Sequence, residues 1–127
     1  MSVRLNHTIV HAKDQQESAI FFSEILGLDP PVPISHFLSV ELDNGVTLDF
    51  MESAPGFDTQ HYAFLVDEAE FDAIFGRILL RSIPYWADPL HRIPKEINTE
   101  DGGRGVYFED PSGHNLEMIT KPYGSDS

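Results

Sequence analysis

The chain repeats itself. Ala19-Ile20-Phe21 returns as Ala73-Ile74-Phe75, 54 positions later, and His7 and His61 stand at the same spacing. The ends of the halves also match. Gly45-Val46-Thr47-Leu48-Asp49 has the Gly-x-x-Leu-acid pattern of Gly113-His114-Asn115-Leu116-Glu117, at an offset of 68, so the second half carries about 14 extra residues before its last strand. Self-similarity of this length points to one supersecondary unit used twice. Each copy opens on a histidine strand, continues as an amphipathic helix and closes on a strand bearing a carboxylate. The chain therefore reads as a single domain, 1–127, with internal repeats at about 3–53 and 60–121.

Local patterns fill in this frame. Residues 5–12 alternate as a strand does, with His7, Ile9 and His11 on one face and Thr8, Val10 and Ala12 on the other. Asp14 is placed to cap a helix over 15–28, whose apolar side carries Ala19, Phe22, Ile25 and Leu26. Gly27 marks the helix stop, and Pro30, Pro31 and Pro33 enforce an extended exit. Two strands, 37–42 and 46–51, are joined through Asn44-Gly45, a strong hairpin signal. Residues 53–59 link the halves. The second half predicts a strand over 61–66, a helix over 68–82 with Phe71, Ile74, Phe75, Ile78 and Leu79 inward, and strands over 105–109 and 115–120. Residues 85–104 read as a long, charged, lid-like loop, with one further strand hidden in 85–97. The tail from Pro122 reads as peripheral.

Composition narrows the function. The net charge of −13, with only eight lysines and arginines, argues against nucleic acid, which needs a basic stripe. No apolar run approaches the ~20 residues of a membrane span, and the N-terminus lacks the apolar core of a signal peptide, which favours the cytoplasm. The chain has no cysteine, so disulfides, thiolate metal sites and cysteine nucleophiles are excluded.

His7, His61 and Glu117 carry the chemistry. Two imidazoles and one carboxylate can hold a divalent ion and leave its other positions open. Fe, Mn, Zn, Ni and Co are all compatible, one ion per site. Asp49, an acid within an apolar strand, should face a polar cavity, a metal or solvent, and its roles as ligand, hydrogen-bond acceptor or proton-transfer base stay open. Tyr107 is either core or a phenol donating to a bound oxyanion. Tyr85, Trp86, His91 and Arg92, on the long segment, are candidates for substrate binding, with Arg92 suited to an anion. His11 shares the face of His7 at the strand end and is either a substrate-binding residue at the rim or a structural one, and His114 sits in a turn as a structural one.

The segments around His7, Ile25-Leu26-Gly27-Leu28, His61-Tyr62-Ala63-Phe64-Leu65-Val66 and Tyr107-Phe108-Glu109-Asp110-Pro111-Ser112-Gly113-His114-Asn115-Leu116-Glu117 together resemble the vicinal oxygen chelate superfamily. That group includes glyoxalases, extradiol dioxygenases, fosfomycin-resistance enzymes and bleomycin-resistance proteins. The resemblance implies an α+β fold of two tandem βαβββ modules forming an open half-barrel sheet around a metal. It puts His7, His61 and Glu117 on the metal ligands. Asp49 falls where glyoxalase-like members place a fourth ligand, usually Glu or Gln, and is one methylene shorter. Tyr107 falls where dioxygenases and fosfomycin enzymes often carry an active-site tyrosine. Small members commonly pair modules between two chains, which implies a homodimer in which His7 of one subunit meets His61 and Glu117 of the other.

The expected function is thus a metal-dependent enzyme acting on a small molecule chelated through adjacent oxygens, by extradiol-type dioxygenation or glyoxalase-like isomerisation or lysis. Thiol transfer to fosfomycin fits less well, because Ile9 stands where a threonine is usual. The alternative is a metal-free protein that sequesters a drug, as bleomycin-resistance proteins do. The acidity suits a cationic drug, while the ligand set has no use in that role.

Overall fold

The computed structural model describes residues 2–124 of the 127. It divides into two compact units, Met1–Thr59 and Gln60–Ser127. The first contains β1 (His7–Ala12), α1 (Gln15–Leu26), β2 (Val32–Ile34), β3 (Phe37–Glu41) and β4 (Thr47–Glu52). The second contains β5 (His61–Leu65), α2 (Glu68–Leu80), β6 (Tyr85–Trp86), β7 (Gly105–Glu109) and β8 (Asn115–Ile119). Each forms an open four-stranded sheet, ordered β1-β4-β3-β2 and β5-β8-β7-β6. In both, the first strand runs parallel to the last and the remaining pairs are antiparallel. The fold is α+β, two tandem βαβββ modules.

The first module buries the face that alternation assigns to the core. Val10, Ala12, Leu48 and Phe50 are buried with Ala19, Phe22 and Ile25 of α1, and Phe22 meets Phe50 edge-on at 4.9 Å. His7 and Ile9 face outward. The Asp14 carboxylate accepts the Gln16 and Glu17 N–H groups, which lack partners within the first turn. Gly27, at φ 71°, closes α1 in the left-handed conformation that glycine adopts without steric cost. Strand β2 is a departure from the expected extended exit: it is a three-residue edge strand, and Pro33 is tolerated there because an edge residue need not donate.

In the second module, Asp67 and Glu70 form a reciprocal capping box at the start of α2. Phe71, Ile74 and Ile78 are buried, and Phe75 packs edge-on against Tyr85 at 5.1 Å. Leu79 departs from the expected buried stripe and is 51% exposed. It borders an apolar cleft of about 420 Å³ with Ile83, Tyr85, Trp86 and Pro94, beside a strand only two residues long. Arg104 bridges Glu68 and Asp72 and lies over the Phe71 ring, clamping α2 to β7.

The long segment is folded back on the sheet edge. Ala87 N–H donates to the Ile93 carbonyl and Lys95 N–H to the Tyr85 carbonyl, both at 3.0 Å. The Asp88 carboxylate accepts the Arg92 and Ile93 N–H groups at 2.8 Å. Desolvation acts to raise the Asp88 pKa, but these backbone donors outweigh it and hold the carboxyl below its ordinary range. The hidden strand is β6, extended by a bridge between Trp86 and Pro94. In the Asp-Pro-Ser-Gly turn, Asp110 Oδ1 accepts the Ser112 and His114 N–H groups. His114 is fully buried and its Nδ1 accepts the Gln60 N–H at 2.9 Å, a structural role. Among the described residues, no helix is long and apolar enough to cross a membrane.

Candidate metal centre

Strand register assembles the site of the second module. Ala63 lies opposite Glu117, Glu117 opposite Tyr107, and Tyr107 opposite Trp86. Directly opposed residues share a face, so these four form one row across the sheet. His61, Asn115 and Glu109 form the neighbouring row on the same face. Leu116, Phe108 and Tyr85 point the other way, toward α2.

His61 Nε2 lies 2.9 Å from Glu117 Oε1. The His61 side chain is 44% exposed and that of Glu117 only 1%, so the pair joins a buried carboxylate to an open face. The Tyr123 hydroxyl donates to the same carboxylate, 2.6 Å from Oε1 and 2.5 Å from Oε2. Tyr107 Oη is 3.2 Å from Tyr123 Oη, and the Tyr107 ring meets His61 edge-on at 5.8 Å. Burial first, then the bond to Tyr123 and the Glu117 carboxylate, push the Tyr107 pKa far up. Tyr123 is raised too, by desolvation and then by Glu117. Both groups are therefore phenols, able to donate, across the range in which enzymes work.

The residues fit a divalent ion. A carboxylate this buried is costly without positive charge beside it. The hydrogen-bond partners of Glu117 among the described residues are His61 and Tyr123, neither of them a lysine or arginine. An ion held by the His61 imidazole and the Glu117 carboxylate would place positive charge beside that carboxylate, and such a nitrogen–oxygen donor set suits the first-row divalent metals. His7 lies on β1 of the first module, with Nδ1 2.8 Å from Asn6 Oδ1, an arrangement that orients the ring and leaves Nε2 for an ion. Two of the three expected ligands thus meet within one module. Among the described residues of one chain, no three of His, Asp and Glu are gathered as a metal-binding group.

The other candidates fall in distinct places. Asp49 accepts from Ser39 Oγ at 2.6 Å on the outer face of the first sheet. His11 Nδ1 is 2.7 Å from Ser53 Oγ, and its ring lies beside Phe57. His91 stacks flat on Trp86, with centroids 3.8 Å apart and planes 4° from parallel. Its Nε2 is 2.9 Å from Asn115 Oδ1 and its Nδ1 3.7 Å from Glu109, which sets it over the face that carries His61 and Glu117. His91 has φ 58°, a left-handed conformation uncommon outside glycine. Arg92 is exposed, and its backbone N–H is bound to Asp88. Tyr85 and Trp86 both border the apolar cleft, from alternate faces of β6.

Tyr123 is the residue that sequence reasoning missed. The tail was expected to be peripheral, yet this side chain reaches the buried carboxylate. The available signal was slight: one tyrosine six residues after Glu117, with Pro122 to turn the chain.

Comparison with known proteins bears on the family and the fold. Over 121 residues the chain is 31% identical to "Glutathione transferase FosA" of Serratia marcescens, covering 90% of this chain and 78% of that protein. A 60-residue stretch is 38% identical to "Metallothiol transferase FosB" of Shouchella clausii, covering 47% of this chain and spanning only 37% of that relative. Two solved structures are more alike. "Oxidase ChaP-H2" is 57% identical with a TM-score of 0.97 over the whole of both chains. "Oxidase ChaP-H1" is 58% identical with a TM-score of 0.94, covering 98% of this chain and all of that one. All four bear the names of enzymes. Residues 4–118, which include His7, His61 and Glu117, match the family profile, and the chain belongs to the Glyoxalase/Bleomycin resistance protein/Dioxygenase superfamily.

Proposed function

We propose that this protein is a divalent-metal-dependent oxidase of the dioxygenase type, acting on a small substrate that presents two adjacent oxygens. The observation that carries the reading is the His61–Glu117 pair, a buried carboxylate with an imidazole at 2.9 Å and, among the described residues, no lysine or arginine bonded to it. Whole-length likeness to two oxidases favours oxidation over isomerisation. Asp49, the candidate base for an isomerase, is a short side chain already bound by Ser39.

His61 and Glu117, joined by His7 of a second copy in a homodimer, would hold the ion. A bound ion would supply Lewis-acid and redox chemistry toward paired oxygens and dioxygen, for which Fe or Mn is suited and Zn is not. Tyr107, held neutral by burial, donates its proton toward an oxyanion developing on the substrate. Trp86 and His91 wall the same face, and Arg92 offers a cation to an acidic substituent. In ring cleavage both atoms of dioxygen enter the product as a carbon–carbon bond opens, so no other co-reactant is required. A metal-free sequestering role gives the converging His61 and Glu117 side chains no task.

The test is oxygen uptake by protein stripped of metal and reloaded without air with Fe(II) or Mn(II), using catechols and fused-ring ortho-diols. Metal-dependent uptake with labelled dioxygen in the product is expected. Oxygen-independent isomerisation of a hemithioacetal, or thiol addition to fosfomycin, in place of uptake would overturn the reading.

A further inference from the structure

We propose that Tyr123 is a displaceable cap on the metal site, closed over Glu117 in the metal-free chain and released when an ion binds. The inference rests on the reading that His61 and Glu117 hold the ion. One hydroxyl lies 2.6 Å from one oxygen of Glu117 and 2.5 Å from the other, across the mouth of the carboxylate. A cation uses the same lone pairs, at a closer ~2.0–2.2 Å. Hydroxyl and ion therefore compete for these oxygens.

The competitor is built to leave. Tyr123 is 61% exposed, so releasing it uncovers little apolar surface. Beyond its hydroxyl bonds to Glu117 and Tyr107, the local tether among the described residues is a long bond from Gly124 N–H to Asp101 Oδ1, at 3.3 Å. Tyr107, by contrast, is 5% exposed and fixed within β7. Tyr123 also lies beyond residues 4–118, the part of the chain shared with the family profile. The cap satisfies a buried carboxylate that would otherwise face the open side of the site without an ion. It exacts a penalty on metal affinity, since its bonds to Glu117 must break first.

Calorimetric titration of the full, metal-stripped chain with Mn(II) tests this, comparing wild type, Tyr123→Phe and Glu117→Gln. Tyr123→Phe keeps the ring and removes the competing hydroxyl. It should bind Mn(II) about tenfold more tightly than wild type, equivalent to about 1.4 kcal/mol. Hydrogen exchange should show the C-terminal peptide of wild type opening when Mn(II) is added. Unchanged or weaker binding by Tyr123→Phe, with wild type binding and Glu117→Gln not, overturns the cap alone and makes Tyr123 a bystander or a support of the ion. If wild type binds no better than Glu117→Gln, the metal reading fails and the cap falls with it.

Discussion

The two modules share a frame and differ in what they put on it. Ile9, Asp49, Ser39 and Val32 form the row in the first sheet that Ala63, Glu117, Tyr107 and Trp86 form in the second. A histidine stands two residues before the start of each row, His7 and His61. The core faces are interchangeable in kind, aliphatic and phenylalanine side chains beneath a helix. The outer faces are not. The first carboxylate is short, partly exposed and answered by a serine hydroxyl. The second is longer, buried, and surrounded by an imidazole and two phenols. Packing thus constrains one face of a repeated sheet to remain alike, and leaves the other free to acquire chemistry in one copy.

The largest contrast should come from the carboxylates themselves. Glu117→Gln should weaken metal retention by about 100-fold or more, whereas Asp49→Asn should stay within about threefold. Elemental analysis of dialysed protein reads both, and equal losses would erase the distinction between the modules. His61→Ala should likewise lose the ion while remaining folded by circular dichroism.

Mixing variants sharpens the division of labour. If His7 serves the site of a second copy, neither His7→Ala nor His61→Ala is active alone. Unfolded and refolded together, they should regain about a quarter of wild-type turnover, because half the random dimers carry one intact site of two. No recovery would place all three ligands within one chain.

The phenol row gives the next effect. Tyr107→Phe should keep its metal and lose about 100- to 1,000-fold in kcat, the scale on which a single donor to an oxyanion acts. Ser39→Ala, its counterpart in the first module, should leave kcat unchanged. Equal effects from the two would demote Tyr107 to a packing residue.

The smallest effect concerns alkaline stability. Tyr107 and Tyr123 titrate higher folded than unfolded, so they favour the folded state while the unfolded phenols are still neutral. That contribution is complete below pH ~10, the ordinary value for tyrosine, and declines above it as the unfolded phenols ionise. Urea unfolding of metal-free protein at pH 9 and pH 11 should show wild type losing more stability than Tyr107→Phe.

Much of this was legible in the sequence, for reasons that also explain the gaps. Strand β1, both helices and the β3–β4 hairpin announce themselves through period, caps and Asn44-Gly45. The pairing of His61 with Glu117 follows from the repeat, because the same two offsets that align the halves also set the register. Strand β2 was invisible as a strand: its three residues are exposed, so no alternation betrays it. Leu79 was misjudged because periodicity describes a helix and not the extent of the sheet beneath it. The Trp86–His91 stack depends on a turn that His91 closes with positive φ, and no residue pattern marks that. Tyr123 escaped because a single side chain after the last strand has no period to read.

Trp86 is the chain's one tryptophan, and it lies flat against an imidazole. The fluorescence of this protein therefore comes from one place, on the sheet face that holds His61 and Glu117. Anything that parts the two rings, an aromatic guest sliding between them or the loop of His91 lifting, is expected to register as a change in emission from a probe already in position.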